Sequence, residues 1–237
     1  MKKAKKILAL LLCAVLLVGA TVAGTLAYLK DNTETVTNTF VAAGGPGPFV
    51  DEDDEGNKKF ELLEYQVTQN AAGKYTQTTD EVKENNYSVL PGTTIPKQAF
   101  VKLSRTGATV DGKVVTPAPA YLYIEVIDGL AAQTQYSWSV DSENWKELDG
   151  VTGPNDGKIY VHSEIIASVA TPKVLTTVAA DTKIDIITND KITVADATLT
   201  PGEFTVKFNA FLAQASTGET DDPAAVFTAC FLPATNP

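Results

Sequence analysis

Hydrophobic positions fall into two regimes along the chain. From Ile7 to Leu29 they dominate and no charge interrupts them; afterwards they come in short bursts separated by Gly, Pro, Asn and Asp. The first regime, preceded by Lys2, Lys3, Lys5 and Lys6, has the order of a basic n-region and an apolar h-region. Next, Thr33, Thr35, Thr37 and Thr39 alternate with Glu34, Val36, Asn38 and Phe40, a period of two that predicts an extended segment from Tyr28 to Val41. Gly44-Gly45-Pro46-Gly47-Pro48 ends it, and Asp51 to Asn57 form an acidic loop.

The later bursts read as strands at 59–68, 100–103, 121–127, 158–167, 174–178, 184–187, 192–194 and 204–210. Asp111-Gly112 between Val110 and Lys113 predicts a two-residue hairpin turn, and Asn189-Asp190 predicts another. Residues 121–127 are apolar at almost every position, which predicts a central strand covered on both faces. Phe204, Val206 and Phe208 alternate onto one face. Asp222 as cap with Pro223 behind it opens a short helix. The expected fold is all-β: a jelly-roll-like antiparallel β-sandwich with very little helix, preceded by an N-terminal signal helix. Its parts are a signal peptide (1–27), an N-terminal strand segment (28–44), a Gly/Pro and acidic loop (45–58) and the sandwich (59–237).

The small residues Thr25 and Ala27 place a signal-peptidase cut between Ala27 and Tyr28. Two other fates of this segment compete with cleavage. An uncleaved anchor would use 7–29, but that run turns Gly- and Thr-rich toward its end. Lipoprotein processing at Cys13 would need a small residue where Leu12 stands. Cleavage removes four lysines and takes the formal charge from −10 to −14. So acidic a chain repels nucleic acid and anionic lipid, which excludes both as partners after processing. It also leaves Cys230 as the only cysteine, in an apolar string that reads as core.

Chemistry-bearing motifs are scarce. His162 is the one histidine, so a His-Glu-x-x-His zinc site is impossible, and no Gly-x-Ser-x-Gly elbow presents a serine. No phosphate-binding loop follows a strand. A carboxylate pair of the glycosidase kind stays open among 29 acids. Asp51, Asp53, Glu55 and Gly56 imitate part of a calcium loop, but Leu62 stands where the closing acid belongs. The string from Leu232 to Asn236 imitates a sortase signal without its glycine or apolar tail. Tyr121, Tyr123, Trp138 and Trp145 are expected in the core rather than on an aromatic ligand face. The reading is therefore a non-enzyme with no catalytic residues, no metal site and no cofactor, and His162 is expected to be structural.

The string from Ala23 to Leu29, with Asp31 and then Thr37-Asn38-Thr39-Phe40, resembles the signal region cut by SipW-type signal peptidases. Proteins with that region are similar to the TasA and camelysin group of secreted Gram-positive proteins. Leu90-Pro91-Gly92 with Lys97, the strand Ala120 to Val126, and Phe208 to Ala215 followed by Ala224 to Phe227 resemble further segments of the same group. The resemblance implies a sandwich exported to the cell surface, often as a biofilm-matrix fibre subunit. The metalloprotease label given to camelysin-like members does not carry over to a chain with one histidine.

The expected function is thus a secreted cell-surface or matrix structural protein. Its partners would be its own copies or related matrix subunits, and signal peptidase during export. Assembly by β-strand donation would use Val36, Phe40 and Val41 as apolar anchors of the freed N-terminal segment. The alternative is a monomeric adhesin-like module that recognises a glycan or matrix ligand.

Overall fold

The computed structural model describes residues 30–33, 40–42, 60–105, 108–110, 113–115, 117–166, 169–199, 204–216 and 220–233. Ala27, Tyr28, Val36 and the acids Asp51, Asp53 and Glu55 lie outside them. The described strands are β1 (Lys30–Thr33), β2 (Phe40–Ala42), β3 (Phe60–Gln69), β4 (Tyr75–Val82), β5 (Thr94–Pro96), β6 (Ala99–Arg105), β7 (Ala108–Val110) and β8 (Lys113–Val115). They continue with β9 (Ala120–Asp128), β10 (Tyr136–Ser137), β11 (Trp145–Thr152), β12 (Lys158–Ile166), β13 (Val169–Pro172), β14 (Val178–Asp185), β15 (Lys191–Val194) and β16 (Val206–Gln214). The one α-helix among the described residues, α1 (Pro223–Phe231), closes the order.

The molecule is an all-β antiparallel sandwich. A seven-stranded sheet runs β11-β12-β9-β16-β1-β2, with β13 paired to β12. A four-stranded sheet runs β14-β6-β3-β4, and a three-stranded one runs β10-β15-β5. The predicted central strand is β9, between β12 and β16 and buried at every position from Ala120 to Val126. Its two faces serve different layers. Leu122, Ile124 and Val126 meet Leu62, Val101 and Leu103 of the four-stranded sheet, together with Phe208, Ala210 and Leu212. Tyr121 and Tyr123 point the other way, beneath α1.

Helix α1 forms where the cap signals stand: the Asp222 carboxylate accepts from the Ala225 amide at 2.9 Å, and Pro223 occupies the first turn. It buries Val226, Phe227, Cys230 and Phe231. Phe231 lies 5.0 Å from the Phe211 ring, and Phe227 lies 5.2 Å from that of Tyr123. The hydroxyls of Tyr121 and Tyr123 donate to the carbonyls of Asp221 and Pro223, which seats the helix start on the sheet.

Several expectations change in detail. Asn189 and Asp190 both adopt positive φ, as a tight turn demands. They do not close a hairpin, because β14 pairs with β6 while β15 pairs with β10 and β5. The turn carries the chain from one sheet to another. The run 174–178 is not a strand; Leu175 makes an isolated bridge to Ala120, and β14 begins only at Val178. Val110 does pair with Lys113, the two positions expected to flank the short turn. Gly92 has φ +70°, which explains the glycine after Pro91 in a turn where Thr93 Oγ donates to the Leu90 carbonyl.

Candidate functional site

Where the three sheets meet, at the end of the sandwich where β16 begins, there is a cavity of about 630 Å³. Phe204, Val206 and Phe208 all line it, so the alternation seen in the sequence supplies one wall. Leu62 of β3, Ile95 of β5 and Ile192 of β15 supply others, and the rim carries Lys83, Glu84, Asn85 and Asn86. The volume lies within the span of small-ligand and side-chain pockets, and so does the pattern of apolar walls with few polar groups.

Three of those polar groups are buried. Lys97 follows the end of β5, where its amide donates to the Asp190 carbonyl at 2.7 Å. Its ammonium forms an ion pair with Glu64 of β3; the two residues are 8% and 6% exposed. The Lys97 Nζ also stands 5.7 Å from the centroid of the Tyr87 ring. The Tyr87 hydroxyl is buried and makes no hydrogen bond of ordinary geometry among the described residues, although the Asn85 side chain stands close enough to offset a little of the upward push on its phenol. Burial, with the Glu64 charge nearby, pushes its phenol well above the ordinary tyrosine value. Tyr75 packs edge-on against the same ring at 6.2 Å, but its own hydroxyl is satisfied by the Ser88 carbonyl. The apolar cavity is thus lined on one side by a buried ion pair and a buried phenol.

A second buried polar cluster lies on the opposite face of the seven-stranded sheet. Glu125 is fully buried, and its carboxylate accepts four hydrogen bonds. Oε1 takes the amides of Asn155 and Gly157; Oε2 takes the side-chain amides of Asn155 and Asn209. A Cβ on Gly157 would come within 2.5 Å of Glu125 Cγ, so the turn approaches the acid as only glycine allows. The sequence reading passed over Glu125; its signal was an acid inside an otherwise apolar strand.

His162 is buried on β12, packed edge-on 5.5 Å from the Trp145 ring, and its Nδ1–H donates to the Asn144 carbonyl at 2.8 Å. Burial holds its imidazole below the usual value. Tyr121, Tyr123 and Trp145 are core residues, and the half-buried Trp138 packs 6.0 Å from Phe208. The four aromatics therefore divide between two layers and form no common ligand face. Phe40 and Val41 lie on β2, opposite Thr33 and Asn32 of β1. Strand β1 in turn pairs with β16 through Lys30 opposite Ala213 and Asp31 opposite Leu212. Among the described residues no three His, Cys, Asp or Glu side chains converge. No family model, curated protein or solved structure matches the chain.

Proposed function

We propose that this chain is an exported surface or matrix structural protein whose copies associate through their sheet edges. The observation that carries the reading is that the N-terminal strand pair β1–β2 forms one edge of the seven-stranded sheet and joins it by backbone pairing to β16. Strand β9 pairs with all nine residues of β16 on one side, and on the other side, among the described residues, Lys30 and Asp31 of β1 register with Ala213 and Leu212. Backbone pairing of that kind is the same whether the strand comes from its own chain or a neighbour, so exchange costs little. The stretch 43–59 between β2 and β3 reaches up to about 55 Å when extended, enough for the strand pair to cross to a neighbouring copy. Val36, Phe40 and Val41 are then the anchors, and cleavage after Ala27 is what frees the segment. The resemblance to secreted matrix proteins points the same way.

Truncation tests it. A chain that begins at Gly45 is expected to stay folded, to lose self-association, and to bind added peptide 28–41. If it unfolds, the N-terminal strands belong to their own core; if it still assembles, donation fails. The cavity favours a second reading, a monomeric binding module. A secreted chain that stays monomeric and takes up a ligand would select that one.

A further inference from the structure

Five large hydrophobic residues are exposed among the described residues, and four of them belong to one feature: Ile165, Ile166 and Val169 on the β12–β13 hairpin, and Val174 just after it. Ile165 is 50% exposed, Ile166 53% and Val169 62%. The register sets Ile166 opposite Val169, and Ile165 opposite Ala170. Neighbouring positions on a strand point to opposite faces, so the hairpin is apolar on both sides. A sheet extension with one apolar face is covered by one layer; a hairpin with two apolar faces needs a slot between layers.

The molecule carries such a slot, at its other end. Phe208, in the cavity wall, is opposite Val126 of β9, and Val126 is opposite Lys158 of β12. The cavity therefore lies level with the start of β12. Ile166 is eight residues further along that strand, roughly 26 Å away. Plug and socket sit at opposite ends of one sheet.

We propose that the β12–β13 hairpin of one copy inserts its tip into the inter-sheet cavity of a second copy. The proposal rests on the reading that copies associate, and it adds a second contact to the strand exchange. Chemistry on both sides fits. The cavity holds the volume of roughly twenty waters, room for the apolar tip but not the whole hairpin. Glu164 and Lys173 flank the tip as an ion pair 3.6 Å apart, and Lys83 and Glu84 stand on the rim, so both surfaces ring their apolar part with one charge of each sign. The buried Tyr87 hydroxyl donates to a carbonyl on the outer edge of β13, which pairs with β12 alone among the described strands. Because plug and socket are different surfaces, the contact is head-to-tail, and repeated it extends a row of copies.

The experiment uses the secreted mature chain. Ile166→Asp with Val169→Asp changes two exposed positions, so the fold and its melting curve are expected to persist. The dissociation constant for self-association should rise by about 100-fold or more. In a second arm, one batch carries Ile166→Cys and another carries Asn86→Cys on the rim; mixed and oxidised, they should give a disulfide-linked heterodimer. Unchanged assembly of the aspartate variant, or no heterodimer from a mixture that assembles, overturns the proposal. If the Gly45 truncation abolishes assembly while the aspartate variant assembles normally, only the hairpin contact is wrong. A wild-type chain that is monomeric at every concentration brings down both this contact and the reading beneath it.

Discussion

Two buried charged clusters flank the same strand, and they are finished to different degrees. Asn209 of β16 turns outward to Glu125, while the adjacent Phe208 turns inward to the cavity beside Lys97 and Glu64. Around Glu125 every carboxylate lone pair that faces a donor is used, and the turn at Gly157 closes over it. Around Lys97 the charges neutralise each other, but the site stays open to the cavity and leaves the Tyr87 hydroxyl without a hydrogen bond of ordinary geometry. A saturated buried network specifies a fold; one left incomplete beside a cavity is where a partner's atoms can be useful.

That contrast can be broken in order of expected effect. Glu125→Leu removes the acceptor of the buried Gly157 amide and the buried Asn209 side chain, and of two part-buried Asn155 donors, and should cost roughly 4 kcal/mol in urea unfolding, with no specific effect on association. Glu64→Gln leaves the Lys97 ammonium buried without its counter-charge and should cost about 3 kcal/mol. The pair Glu64→Leu with Lys97→Met should recover most of that loss, because an apolar pair of similar bulk avoids the desolvation of both ions. If the double variant is as unstable as the single one, the pair is holding more than itself. Tyr87→Phe removes a hydroxyl that makes no internal hydrogen bond of ordinary geometry, so thermal stability should be unchanged or about 1 kcal/mol higher while self-association weakens. Loss of stability on that change would show that the hydroxyl is satisfied within the fold.

The smallest effect concerns pH. Burial lowers the His162 imidazole below its usual value, so the unfolded chain takes up a proton that the folded chain resists. His162 therefore contributes full stability above about pH 6.5 and loses it as pH falls through that value. Urea titrations at several pH values should show that slope, and His162→Phe should flatten it. The Asn144 carbonyl keeps the Ser163 amide as a donor in that variant.

Much of the scaffold could be read in advance where local pattern and tertiary role coincide. The continuous apolar run became β9, the alternating run with Phe204, Val206 and Phe208 became one wall, and Asp222-Pro223 opened α1. Strand β4 carries no alternation to read, because Tyr75 is its only buried residue and polar side chains fill every position between it and Val82. The turn at Asn189-Asp190 was legible from its residue types, but which strands it joined depended on partners far along the chain. The cavity left no sequence signature, since its walls come from three sheets. Lys97 stood in a segment already singled out, yet its ion pair with Glu64 joins positions 33 residues apart that nothing local connects.

The central claim, that copies of this chain associate, is tested most directly by sedimentation velocity of the chain beginning at Tyr28 across a wide concentration range. Association through unlike surfaces predicts species that grow past the dimer as concentration rises, without a closed limiting size. One monomeric boundary at every concentration would contradict the account.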